Sequence, residues 1–188
     1  ESTPAQGKLI RLQWMLFHLL HWGGLFYEGI VHNPSEALRK FQMMLDYARR
    51  WGDIYAEAHA LNCLGGRHFS TGEIVQGIQE MEQSVSLFEQ LLRKFPENKD
   101  LATDLLITLN HLANAYNSLL ISQRALALYK RSLNLSRQLN DKVGEMGALY
   151  GLGLSSCLSG DSKKAKEYFE QSLKLAREEE HYGWVYTD

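Results

Sequence analysis

The chain has 188 residues, of which 45% are hydrophobic and 22% are charged, so it is long and apolar enough to bury a core. Its 20 basic and 22 acidic residues leave a formal net charge of −2 and are interspersed, which argues against a nucleic-acid-binding surface. Two cysteines make no disulfide framework, and no apolar stretch approaches the roughly 20 residues of a membrane span. We therefore expect a cytoplasmic protein that binds no nucleic acid and does not span a membrane.

Four segments repeat one hydrophobic pattern, and each is anchored by a small residue: in chain order Ala37, Gly77, Ala125 and Ala165. The residues four and eight positions after each anchor are Phe41 and Leu45, Met81 and Val85, Tyr129 and Leu133, and Phe169 and Leu173. These offsets lie on one face of an α-helix and predict a core-facing helix in each copy. The anchors are spaced by 40, 48 and 40 residues, and we expect the eight extra residues to lengthen a helix over residues 74–95.

Each of these helices follows another helix that also has equivalent residues in the different repeats. Three such positions hold Leu61, Leu109 and Leu149, then Leu64, Leu112 and Leu152, and then the small residues Gly65, Ala113 and Gly153. Each unit is therefore predicted to be a helical hairpin. Glycine inside a helix costs about 1 kcal/mol relative to alanine. Gly24, Gly65 and Gly153, at equivalent positions, thus predict a close approach of the second helix, with its anchor residue opposite them.

We predict an all-α fold, an α-solenoid of about four antiparallel helical hairpins. It would form one domain over residues 8–182, with repeats over about 8–52, 53–97, 98–141 and 142–180. Residues 1–7 are expected to be disordered, and residues 183–188 to begin a further, truncated helix. Because solenoids need polar caps at their ends, we expect self-association through the C-terminal end. The apolar stretch 8–20 also favours burial against the next repeat or another chain.

The last unit resembles the tetratricopeptide repeat. Its residues at the positions typical of that family are Leu149, Leu152, Gly153, Gly160, Asp161, Ala165, Phe169, Leu173 and Leu175. The third unit is similar but has residues 120–122 in place of the Gly-Asp turn, and the second has Gly77 in place of alanine. The period of 40 is longer than the basic 34 residues and resembles that of Pins-type and kinesin-light-chain-type adaptors and several bacterial regulators. The resemblance implies a right-handed superhelix whose concave face binds partners.

The resemblance places partner-binding positions on the first helix of each hairpin. They are His59, Asn62 and Phe69 in the second unit, Asn110, His111, Asn114 and Asn117 in the third, and Tyr150 and Leu154 in the fourth. The three asparagines form one helical stripe, and their amides could hold the backbone of an extended peptide. The alternative is that they form a solvated helix face. None of these positions is Lys or Arg, which argues against a receptor that clamps a terminal carboxylate.

The histidines at positions 18, 21, 59 and 111 could approach one another across neighbouring first helices, and the spacing of His18 and His21 is compatible with a shared metal. Only Glu28 or Cys63 could complete such a set, so we expect partner contacts, no metal and no cofactor. Cys63 lies one turn from His59, a spacing compatible with a cysteine nucleophile and its base, but no oxyanion hole or orienting carboxylate accompanies it. We therefore expect no enzymatic activity.

The sequence thus predicts a non-catalytic scaffold or adaptor for protein–protein interaction. It would bind a partner peptide or helix in the concave groove, as a subunit or domain of a larger complex. The alternative is a regulatory sensor module that binds a small ligand or signalling peptide within a multi-domain transcription or signalling regulator. Attached domains would distinguish the two.

Overall fold

The computed structural model describes the backbone of residues 4–185 and the side chains of residues 9–178. Over that range the chain forms eight α-helices and no strands. They are α1 (Pro4–Gly29), α2 (Pro34–Trp51), α3 (Ile54–Thr71), α4 (Ile74–Lys94), α5 (Lys99–Ser118), α6 (Ser122–Leu139), α7 (Lys142–Leu158) and α8 (Ser162–Val185). Successive helices pair as four hairpins, which confirms the predicted all-α architecture.

Short polar caps set the helix boundaries. The side chains of Asn33, Asp53, Asn98 and Asp141 each accept a hydrogen bond, at 2.9–3.1 Å, from the backbone N–H three residues later. Such N-caps satisfy amide groups that have no partner within the helix. At the other ends, α2 and α3 stop where Gly52 and Gly72 adopt left-handed backbone with φ of 66° and 99°. Glycine tolerates that conformation, so the chain reverses within two residues.

The chain divides into two compact units, residues 1–87 and 88–188, with the boundary inside α4, where the sequence predicted one domain over 8–182. In unit 1 the core consists of apolar side chains from α1, α2 and α3, chiefly Phe17, Leu20, Phe41, Met44, Leu45, Leu61 and Leu64. In unit 2 the buried side chains come mainly from α5, α6 and α7, for example Leu109, Tyr129, Leu149 and Leu152, with Phe88 from α4 and Ala165 from α8. Most of these buried residues occupy the apolar positions that the repeat pattern predicted to face the core.

The eight extra residues between the second and third anchors are spread over four places and do not all lengthen one helix. Measured against the preceding 40-residue interval, α4 runs three residues longer beyond its anchor and the connection 95–98 is two longer. Helix α5 is two residues longer than α3, and the turn 119–121 adds one. The long helix over 74–95 is therefore present as α4, but it takes up fewer than half of the added residues.

The ends of the chain also differ from expectation. Helix α1 begins at Pro4, inside the segment 1–7 that was expected to be disordered. Helix α8 continues to Val185, so residues 183–185 extend an existing helix and do not begin another. The side chains of residues 182–186 and the backbone of residues 186–188 lie outside the described part of the chain.

The glycines at the helix crossings confirm the predicted close approach but meet different partners. A methyl group at Gly24 would strike the ring of Phe41, and one at Gly153 would lie 2.5 Å from the ring of Phe169. In both hairpins the nearest neighbour of the glycine is the aromatic residue one turn after the anchor alanine. In the second hairpin, Gly65 does face the anchor, Gly77, together with Met81.

Candidate functional site

The asparagine stripe of α5 lies in unit 2, and two of its members hold neighbouring helices. Asn114 accepts a hydrogen bond from the Tyr129 hydroxyl at 2.5 Å, which ties α5 to α6. Asn117 is buried and accepts one from the Ser155 hydroxyl at 2.9 Å, which ties α5 to α7. Burial raises the pKa of Tyr129 to about 12, so its hydroxyl keeps its proton and acts as a donor. These bonds give Asn114 and Asn117 a structural role.

Asn110 differs from the other two asparagines. Its side-chain oxygen is buried, and no residue in the described part of the chain donates a hydrogen bond to it, while the residue as a whole is half-buried. An unsatisfied buried acceptor costs about 1–3 kcal/mol relative to a paired one. A partner's donor would recover this free energy once the Asn110 side chain turned outward to meet it.

Apolar side chains accompany Asn110 on α5 and α7. Tyr150 is 55% exposed, and its ring centroid lies 5.6 Å from that of Phe169. Ile107 and Leu154 are also exposed, and a methyl group at Gly147 would meet no described atom within 4 Å. Desolvation by the surrounding protein lowers the pKa of His111, so this side chain is neutral at pH 7. The α5 and α7 surface thus combines uncharged polar groups with exposed apolar ones.

The predicted positions of the second unit lie in unit 1 and have different surroundings. Asn62 is buried, and Phe69 is half-buried, with its backbone nitrogen 2.6 Å from where a methyl group on Gly77 would lie. Phe69 therefore sits at the crossing of α3 and α4. His59 packs in an aromatic group: its ring centroid is 5.8 Å from those of Phe17 and Tyr55 and 5.1 Å from that of His21.

The predicted histidine group is only partly assembled. His21 of α1 meets His59 of α3, whereas His18 packs against the rings of Trp14 and Phe17. Cys63 joins the first pair: the potential ligand atoms of His21, His59 and Cys63 all lie within 4.8 Å of one another. Sequence spacing identified His59 and Cys63 as neighbours on one helix, but which histidine of α1 faces them depends on how α1 is rotated.

The thiol of Cys63 is poorly suited to nucleophilic attack. Burial, with a smaller contribution from the carboxylate of Glu28, raises its pKa to about 12. Glu28 itself is paired with Arg67. Because the thiolate is the reactive form, a raised pKa leaves this cysteine unreactive at neutral pH.

A comparison with known families identifies the hairpins of unit 2. Residues 104–178, which run from α5 into α8, match the tetratricopeptide repeat. The hairpins of unit 2 are therefore similar to tetratricopeptide repeats. No curated protein matches the sequence.

Solved structures with the same fold cover both units. BtubC (BKLC) from P. vanneervenii aligns with a TM-score of 0.77 at 15% identity, over 89% of this chain and 66% of that one. A kinesin light chain from Podosopora anserina with nearly identical tetratricopeptide-like repeats aligns at 0.70 and 16% identity, over 88% and 76%. Aspartyl phosphate phosphatase F from Bacillus subtilis aligns at 0.70 and 12%, over 90% and 42%. The chain spans less than half of that phosphatase and just under two thirds of BtubC.

These likenesses confirm the tetratricopeptide-like α-solenoid, including the resemblance to kinesin-light-chain-type repeats. Tetratricopeptide solenoids stack short helical units and present extended binding surfaces. No helix within the described residues combines the length and the apolar character needed to cross a membrane.

Proposed function

We propose that this chain is a non-catalytic scaffold or adaptor that binds a segment of a partner protein on the first-helix surface of unit 2. The observation that carries the proposal is the set of exposed apolar side chains on α5 and α7, Ile107, Tyr150 and Leu154, on the same two helices as the predicted partner-binding residues. The tetratricopeptide match over 104–178 supports it, because these repeats are an interaction module. The chain would act within a larger complex.

The chemistry of this surface favours an uncharged, extended or helical peptide. The oxygen of Asn110 can accept a backbone or side-chain N–H, and Tyr150 supplies a large amphipathic contact of the kind enriched at interfaces. Gly147 leaves backbone open where a ligand could approach. His111 is neutral, and none of these positions is Lys or Arg, so a terminal carboxylate would find no charged partner here.

Affinity capture from a native extract, with the wild-type chain and the double variant Asn110→Ala/Tyr150→Ala as baits, tests the proposal. We expect the variant to lose specific partners, because truncating a central interface tyrosine commonly costs more than about 1 kcal/mol, or several-fold in Kd. Asn114 is left intact because its hydrogen bond to Tyr129 stabilises the hairpin. Circular dichroism verifies that both baits are equally helical.

The matched control is Asn134→Ala/Tyr168→Ala, which removes the same residue types from α6 and α8. It should retain every partner. Equal partner lists for wild type and both variants would refute the use of this surface. An empty list for the wild type would favour the second candidate, a sensor module for a small ligand or signalling peptide.

A cytoplasmic location is part of the same proposal. Cys63 and Cys157 are both free thiols, which suits a reducing compartment.

The exposed face of α8 supports a further element of the proposal, self-association through the C-terminal hairpin. Leu173 is 51% exposed, whereas its counterpart Leu45 in the first hairpin is 4% exposed. Around it an open cavity of about 370 Å³ is lined by Cys157, Ala165 and Phe169, among others. A second copy that covers this face would bury the apolar surface that internal hairpins bury against their neighbours.

A further inference from the structure

Three potential metal ligands converge in unit 1 between two helices that the hydrophobic core holds together. His59 and Cys63 lie one turn apart on α3, and His21 projects from α1. Their ligand atoms lie within 4.8 Å of one another, and all three residues are half-buried. Such convergence of two imidazoles and a thiol does not follow from the repeat pattern, because the core columns of α1 and α3 are the leucines and glycines on another face.

The donor set suits a borderline-soft divalent ion. Zinc binds cysteine sulfur at about 2.3 Å and histidine nitrogen at about 2.0–2.1 Å, which places neighbouring ligand atoms of a tetrahedral site somewhat less than 4 Å apart. Side-chain rotations that move each ligand atom by roughly an ångström would therefore bring the three atoms around one ion. Imidazole and thiolate together favour zinc over magnesium or calcium, which prefer oxygen ligands.

The surroundings are those of an ordered and partly dry site. The rings of Phe17 and Tyr55 pack on His59, and Phe17 also contacts His21 at a centroid distance of 6.3 Å. Both helices that carry ligands also bury core residues, for example Leu20 on α1 and Leu61 on α3. Ligands on packed helices are held more accurately than ligands on loops.

We propose that His21, His59 and Cys63 form a zinc-binding site that joins α1 to α3. The ion would form bonds to two neutral imidazole nitrogens and to the cysteine sulfur, whose proton passes to solvent. Three protein ligands leave the fourth tetrahedral position open to water or to a partner's side chain. The site is independent of the surface on α5 and α7, so failure of one proposal leaves the other standing.

Equilibrium dialysis of the full chain against zinc, with the bound metal measured by elemental analysis, tests the site directly. We expect one ion per chain at micromolar free zinc and a higher Tm in its presence, since a ligand that binds only the folded state stabilises it. Cobalt serves as a spectroscopic probe, and its thiolate charge-transfer absorption should appear on binding.

Two single variants remove ligands, and two matched variants remove the same residue types elsewhere. Cys63→Ser should abolish the cobalt–thiolate absorption, and Cys63→Ser and His21→Gln should each weaken zinc binding by roughly tenfold or more. Cys157→Ser and His32→Gln should bind zinc as the wild type does. Circular dichroism without metal verifies the fold of each variant, and His21→Gln serves if Cys63→Ser fails to fold.

Absence of zinc binding by the wild type at micromolar free metal would overturn the proposal. So would zinc affinity and a zinc-dependent rise in Tm that survive both ligand substitutions. Either result would make the three side chains packing residues of the α1–α3 contact.

Discussion

Asn114 illustrates how a residue that the sequence predicts to bind a partner can serve the fold. Its position on α5, one turn from Asn110, predicts a groove residue, yet its oxygen accepts a hydrogen bond from the Tyr129 hydroxyl. Tyr129 is almost wholly buried, so its hydroxyl requires a partner inside the protein. For Asn110, by contrast, no described residue donates a hydrogen bond to the buried side-chain oxygen.

Replacement of Asn114 by alanine should lower the free energy of unfolding by about 1 kcal/mol, because the Tyr129 hydroxyl loses an acceptor. Tyr129→Phe removes the donor as well, so the double variant should cost less than the sum of the two single changes. Urea denaturation of the four proteins measures the coupling, with Asn134→Ala as the exposed control; strictly additive effects would contradict the bond.

At the scale of helices, the crossing of α3 and α4 explains why the second repeat departs from the alanine anchor. A methyl group at Gly77 would lie 2.6 Å from the carbonyl oxygen of Gly65, and one at Gly65 would lie 2.7 Å from the carbonyl oxygen of Gly77. Backbone atoms cannot move aside as the end of a flexible side chain can. The two helices therefore approach at a pair of glycines, and alanine at either position would force them apart.

Adjacent glycines on α3 provide a matched test of this crossing. Gly65→Ala should destabilise the protein by about 1–3 kcal/mol, the usual cost of overpacking a close contact. Gly66→Ala, where no described atom lies within 4 Å of the added methyl group, should stabilise it by up to about 1 kcal/mol through helix propensity. Thermal unfolding followed by circular dichroism compares them. Equal effects of the two substitutions would show that helix propensity, and not the crossing, dominates.

At the scale of the molecule, large apolar side chains remain exposed on the first and last helices. Leu19 and Trp22 of α1 are 70% and 65% exposed, and they lie on one helical stripe with Leu12, Met15 and Phe26. On the internal first helices the positions equivalent to Leu19 hold Ala60, Thr108 and Ala148, all fully buried. Both α1 and α8 thus present apolar faces of the kind that mark interaction surfaces.

Light scattering over a concentration series should show dimers of the wild type at high concentration. If the face of α8 is the interface, Leu173→Glu should yield a monomer at every concentration, since a charge buried there would lack a partner. Val143→Glu, at a residue already exposed on α7, is the control and should behave as the wild type. A wild type that stays monomeric would refute self-association. Dimers that survive Leu173→Glu but not Leu19→Glu would move the interface to α1.

The repeating pattern of apolar residues by itself determined the helices, their pairing into hairpins and most of the core. Ala37, Phe41 and Leu45 bury one face of α2 because offsets of four and eight residues return to the same side of any α-helix. Capping residues such as Asp53 and Asp141 likewise set where helices begin, because each accepts a hydrogen bond from the backbone N–H three residues later. All of these features follow from local geometry.

Only the tertiary structure decided which polar side chains serve the fold and which face outward. The bonds of Asn114 to Tyr129 and of Asn117 to Ser155, and the meeting of His21 with His59 and Cys63, join different helices. They depend on how far each helix is rotated about its axis and on how closely its neighbour approaches. Packing sets these quantities: at crossings such as Gly65 with Gly77 the absence of a methyl group brings backbones together, and the polar side chains nearby then find their partners across the gap.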